Sequence, residues 1–357
     1  MNVLHIYPRS NELIQRHVQL LVEGLRQSAN VQVADNKKSL YQQARDFEAD
    51  IIHVHGVNQM LQAKSFRCAK KLGIRCVLTL HGQLQPFALE TLMAQQRAGI
   101  LLVQKDFVQS VYAVITFGKM ETSYFKELAW NPRIEEIHNA VTTNTISPTE
   151  MVAKTFAVYQ KVMDSNTREK MDPHTLSALR VIIKASIMGD KRWVENEPLD
   201  QRLINWRHLM LYAEHENIVN YTDYGIRILD LSAPLMDISK VPAYFPKNYT
   251  RPKPLKELVG DYQGNETDFL MRIIRQLLKA PTLLGCIELT RELYRDNVND
   301  DELSEKLEDA GLTESAGRLI QVLHEELLLD EGFMPIDPID DKLTDKLRNN
   351  LKKHLKI

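Results

Sequence analysis

The first 145 residues alternate short apolar runs with helical stripes, and this alternation restricts the fold more than any other feature. "VLHIY" (3–7), "VQV" (31–33), "DIIHVH" (50–55), "CVLTLH" (76–81) and "YAVITFG" (112–118) each read as a strand. "RIEEIHNAV" (133–141) is a sixth, shorter and more polar. Between the first two, Ile14, Val18, Leu21 and Leu25 recur at helical spacing. Strands that are apolar on both faces and separated by helices predict a parallel sheet covered on each side. Right-handed crossovers make that an α/β, doubly wound, Rossmann-like domain in the N-terminal half.

Sheets of this kind bind ligands outside the carboxyl ends of their strands. Pro8–Asn11, His55–Gly56, His81–Gly82 and Gly118 are expected on that rim. His53 and His55 are two apart and share a strand face, His53 reading as a sheet-face histidine and His55 as a site residue. His81 precedes Gly82, where an imidazole can bond a sugar hydroxyl or phosphate and glycine lets the backbone approach a ligand. Ser10 or Asn11 can cap the first helix, whose amides together with Arg9 could receive a phosphate. That loop contains no glycine, so the dinucleotide fingerprint G-x-G-x-x-G is absent. The H-x-H pair has no nearby cysteine or close carboxylate pair to complete a ligand set, so neither a metal site nor a cofactor is expected.

At 357 residues the chain suits about two domains. With 45 basic against 47 acidic side chains, no bulk field attracts nucleic acid, and no nucleic-acid partner is expected. Cys68, Cys76 and Cys286 show no metal spacing and read as buried, reduced thiols. The N-terminus has no secretory pattern and no apolar run approaches the roughly 20 residues that span a bilayer. A cytoplasmic location is the expectation.

The order of "QRHVQLLVEGL" (15–25), "DIIHVHG" (50–56), "GIRCVLTLHG" (73–82), "AVITFGKMETSYFKEL" (113–128) and "IHNAVTTNTISP" (137–148) resembles the N-terminal domain of family 4 glycosyltransferases, which have the GT-B fold. The resemblance implies sugar transfer from a nucleotide-sugar, without a metal, to a glycan or lipid-linked acceptor, as in polysaccharide biosynthesis. It places the histidine matching His81 in the cleft beside the transferred sugar or its acceptor, with Gly82 and the first-loop amides shaping the pocket. Two positions depart from the family: Ser10–Asn11 stand where it has glycines, and Ala140 replaces the glycine of its "N-G-V" segment.

The resemblance would also demand a second Rossmann domain, with a "G-R-x-x-x-x-K-G"-like turn and an E-x₇-E pair to hold the donor. After Pro148 neither is found; Glu288 and Asp296 have the pair's spacing but sit in a charged helical pattern. The C-terminal half reads as mainly helical: 149–163, 173–187, 199–215, 266–280, 283–296, 300–310 and 313–329, with "GIRILDL" (225–231) as one strand. Arg180, Lys184 and Lys191 are the basic residues there that could hold a diphosphate. Five prolines make 232–265 an ordered wrap or linker. The expected segments are therefore 1–148, 149–231, 232–265 and 266–357. The tail 341–357 repeats leucine every four residues with a basic excess, which suits either an anionic membrane surface or packing onto its own domain or a partner.

Two functions follow: a glycosyltransferase-like enzyme with His81 as catalytic residue and Ser10, Asn11, His55, Gly56 and Gly82 on the substrate, or a non-catalytic relative whose helical half engages a protein partner.

Overall fold

The computed structural model describes residues 1–35, 37–57, 60–91, 104–260, 265–295 and 299–355. The chain divides into two compact units, one of Met1–Ser165 with Pro242–Lys247, the other of Asn166–Val241 with Asn248–Lys356.

The first unit is the expected sheet. Strands β1 (Asn2–Ile6), β2 (Asn30–Val33), β3 (Ile51–His55), β4 (Arg75–Thr79), β5 (Ala113–Thr116) and β6 (Ile134–Glu136) run parallel in the order β2-β1-β3-β4-β5-β6. Side chains divide by parity. Leu4, Ile6, Ile52, Val54, Leu78 and Val114 face one apolar layer with Ala44, Cys68 and Phe107. Val3, Ile51, Val77, Ala113 and Ile115 face the other, covered by Leu21 and Leu25 of α1 (Glu12–Leu25) and by Met151, Val158 and Tyr159 of the helix Pro148–Met163. The strand order reverses between β1 and β3, and their carboxyl ends open on the crevice this topology provides.

The second unit contains helices and irregular segments but no strand among its described residues. Its helices include Pro173–Met188, Glu266–Lys279, Leu283–Leu293 and Thr313–Leu327, which close over one apolar cluster containing Leu179, Ile274, Ile287 and Leu323. Residues 225–231 are not a strand; Val219–Ile228 is a helix. The alternation of Ile226, Ile228 and branched neighbours favours a strand locally, but the helix packs with Gly225 against Pro173–Met188, where a Cβ would meet the Ile182 carbonyl oxygen at 2.0 Å. Tertiary packing overrides the local preference. The helix expected over 199–215 is confined to Trp206–His215, because the Asn205 side chain accepts the His208 amide at 3.1 Å and caps it. Asp296 lies outside the described residues. Leu347, Leu351 and Leu355 of the tail enter the unit's own core, leaving Leu343 exposed. No helix among the described residues is long and apolar enough to cross a membrane.

In the first unit, Tyr244 is buried: its amide donates to Ser165 Oγ at 2.7 Å and its hydroxyl to Glu135.

Candidate functional site

Five histidines gather on one face of the sheet at its carboxyl end. His5 on β1 lies in register with His53 on β3, and His55 follows on the same face. His17 reaches them from α1, since it falls on the buried stripe three residues after Ile14 and four before Leu21. His81 follows β4. Ring centroids lie 4.1 Å apart for His53–His55, 5.0 Å for His5–His53, 5.7 Å for His17–His55 and 5.1 Å for His17–His81.

The nitrogens define distinct roles. His53 is satisfied at both ends, Nδ1 by the Tyr159 hydroxyl at 2.6 Å and Nε2 by Thr79 Oγ1 at 2.8 Å. It is the sheet-face histidine of the expectation. His17 Nδ1 donates to Asn139 Oδ1 at 2.9 Å. His81 Nε2 pairs with His55 Nδ1 at 3.1 Å, and His55 Nε2 with His5 Nδ1, also at 3.1 Å. His5 Nε2 ends this chain buried and without a partner among the described residues.

Burial makes the protonated form costly, so the cluster is neutral. Burial, with His17 nearby, lowers His5 to about 3, and burial lowers His17 to about 4 against the opposing bond from Asn139. His53, His55 and His81 are held well below the usual value, by burial first and then by neighbouring histidines, His17 among them in each case.

His81 is the partly exposed member, and it lines a cavity of about 320 Å³ with Gly82, Gln85, Phe117, Gly118, Lys119, Met120 and Glu121. Its backbone is left-handed, with φ of 54°, a conformation that costs a non-glycine residue energy and is found preferentially at functional sites. The turn is held by Glu121, whose buried carboxylate accepts the Gly82 amide at 2.5 Å and the Phe117 amide at 2.6 Å. Burial raises the Glu121 carboxyl while those two amides pull it down. Gly82 has φ of 77°, and a Cβ there would meet nothing closer than Gln85 at 3.9 Å, so the cavity floor stays open.

The other expected residues are placed differently. His55 is completely buried and reaches the cavity only through His81. Gly56 has φ of 83° beside Gln83, whose Oε1 accepts the Val57 amide at 2.6 Å and so ties the β3 and β4 loops together. Asn11 caps α1, its Oδ1 accepting the Ile14 amide at 3.1 Å, and Ser10 is exposed beside it; neither lines the cavity. His5, His17 and Glu121 were not singled out from the sequence. Arg180, Lys184 and Lys191 each face a carboxylate: Glu326 at 3.4 Å, Asp330 at 2.6 Å and Asp230 at 3.7 Å.

Residues 9–145 match the family model of Glycosyltransferase Family 4. No curated protein and no solved structure matches the chain. The matched segment lies within the first unit, which is in this respect similar to family 4 glycosyltransferases.

Proposed function

We propose that the first unit binds a sugar substrate at the His81 cavity and serves the transfer of a sugar from a nucleotide-sugar to a glycan or lipid-linked acceptor. The observation that carries the reading is the strained, partly exposed His81 over a cavity at the carboxyl end of β4, within the matched segment. A neutral imidazole backed by His55 can exchange a hydrogen bond with a sugar hydroxyl. Lys119 opens the helix Lys119–Leu128, and its ammonium and the first-turn amides are suited to a phosphate. Open space at Gly82 accommodates close approach of the ring.

A second reading is favoured by the all-helical second unit. The groups that stabilise a departing diphosphate supply a major part of the catalysis of such transfers, and a strand-built second donor domain is not found among the described residues. In that reading the first unit binds without turnover and the helical unit engages a protein partner.

Transfer or hydrolysis of a nucleotide-sugar panel by wild type and His81→Ala separates the two. The enzyme reading expects wild-type turnover reduced about 100-fold or more in the variant. Background turnover in both proteins, with thermal stabilisation by a nucleotide-sugar that His81→Ala removes, would support binding without catalysis. A ligand at 100 times its dissociation constant adds roughly 2.7 kcal/mol. Neither turnover nor stabilisation would dismiss the sugar site altogether.

A further inference from the structure

We propose that His17 Nε2, His55 Nδ1 and His81 Nε2 form a binding site for one divalent first-row transition ion of the zinc class, facing the His81 cavity. One ligand nitrogen from each of these residues lies within 4.8 Å of the others. A second trio, His5, His53 and His55, is equally compact, but His53 already spends both ring nitrogens on Tyr159 and Thr79. In the chosen trio His17 has its Nδ1 on Asn139, which leaves Nε2 for a ligand.

The spacing of one pair is already close to what an ion needs. His55 Nδ1 and His81 Nε2 stand 3.1 Å apart, while tetrahedral zinc with bonds of about 2.0–2.1 Å separates its nitrogens by about 3.3 Å. In the metal-free form one proton lies between those two nitrogens. On binding, that proton moves to the other nitrogen of its own ring (if the ring is His55, the His5 proton shifts in turn from Nδ1 to Nε2), and each imidazole stays neutral with one lone pair on the ion. His55 then carries its proton on Nε2 and donates it to His5 Nδ1, while His17 donates through Nδ1 to Asn139. These are the outer hydrogen bonds that metal-bound imidazoles ordinarily make. His5 is thereby given a function for its otherwise costly burial with Nε2 unpartnered.

Three neutral imidazoles select zinc, cobalt, nickel or copper over magnesium or calcium. The partly exposed His81, which lines the cavity, provides an entry route. Three protein ligands leave a fourth position toward the cavity, open to water or a substrate oxygen. This inference does not depend on sugar transfer.

The test uses the full chain, stripped with a chelator and titrated with Zn²⁺ and Co²⁺. One tight equivalent is expected, with the visible bands of tetrahedral cobalt. His81→Ala and His17→Gln should each abolish it, and Asn139→Ala should weaken it about 10–100-fold. His174→Ala, at an exposed histidine of the other unit, should bind like wild type. Far-UV dichroism checks folding, and the partly exposed His81 variant keeps the test meaningful if His17→Gln misfolds. No stoichiometric binding, octahedral cobalt bands, or binding that survives His81→Ala would overturn the site.

Discussion

In the sheet unit five imidazoles pack together as neutral groups, whereas in the helical unit the buried amine of Lys184 meets a carboxylate of its own. Lys184 Nζ donates to Asp330 at 2.6 Å, to the Leu328 carbonyl at 2.8 Å and to the Tyr294 hydroxyl. Burial lowers the Lys184 amine and Asp330 opposes that shift. Glu326 is likewise surrounded by Arg168 at 3.1 Å, Arg180 at 3.4 Å and Lys352 at 3.1 Å. A paired charge organises its neighbours and is mainly a structural device. A cluster of like, neutral bases cannot satisfy itself, as His5 shows, and such an arrangement makes sense where lone pairs face a ligand.

Acid should break this symmetry with the largest effect. Unfolded histidine titrates near 6.5, and the folded values of His5, His17, His53, His55 and His81 all lie lower. The unfolded chain therefore binds more protons below pH 6.5. The contribution is fully present above that pH and is lost as pH falls toward about 4 for His17 and about 3 for His5. A histidine that stays neutral in the fold costs about 1.4 kcal/mol per pH unit in this window, and all five act in the same direction. The helical unit buries only His215 among its described histidines, and the contribution of Glu326, held below the usual carboxylate range although burial opposes its three cations, is lost only at lower pH. Opening free energies from regional hydrogen exchange at pH 7.5 and 5.5 should fall by several kcal/mol in residues 1–165 and by much less in 166–241. Equal losses in both would refute the contrast.

A smaller effect probes the paired side. Asp330→Ala leaves the Lys184 ammonium buried against a carbonyl and a hydroxyl. Since the Asp330 side chain is 48% exposed, water moderates the loss to about 2 kcal/mol, below that of a fully buried pair. Urea denaturation checks this, and a loss within error of zero would mean that Asp330 does not carry the ammonium.

The smallest effect sharpens the sheet side. Tyr159→Phe removes the partner of His53 Nδ1 and should cost about 1 kcal/mol by thermal or urea unfolding. It should leave metal binding unchanged, because His53 lies outside the proposed ligand trio; a lost cobalt spectrum would move the site to His5, His53 and His55.

The sheet was legible because a parallel strand buried on both faces writes a continuous apolar run, as in "DIIHVH" and "CVLTLH". The helices after residue 149 were legible from their stripes. Gly225 was not, since its role lies in the approach of a second helix backbone that no local pattern encodes. Within the site, His81 and Gly82 were visible from their place at a strand end. His5 and His17 each carried a signal, a histidine inside a buried strand and another on the apolar stripe of α1. Their convergence depends on pairing across 48 residues between β1 and β3 and on the docking of α1. Glu121 gave no signal at all: its function is to accept amides 39 and four residues away.

The return of residues 242–247 to the sheet unit has a consequence for the order of synthesis. Ser165 Oγ and Glu135 receive their bonds from Tyr244 only after residues 166–241 have left the ribosome. At about 5–20 residues per second, that interval is roughly 4–15 s. During it the sheet lacks one buried tyrosine and the helical unit is itself half-made. A nascent chain halted at Ser165 would hold every strand and every histidine of the cluster, yet lack the segment that completes its domain, so the gene order and the order of completion are interleaved.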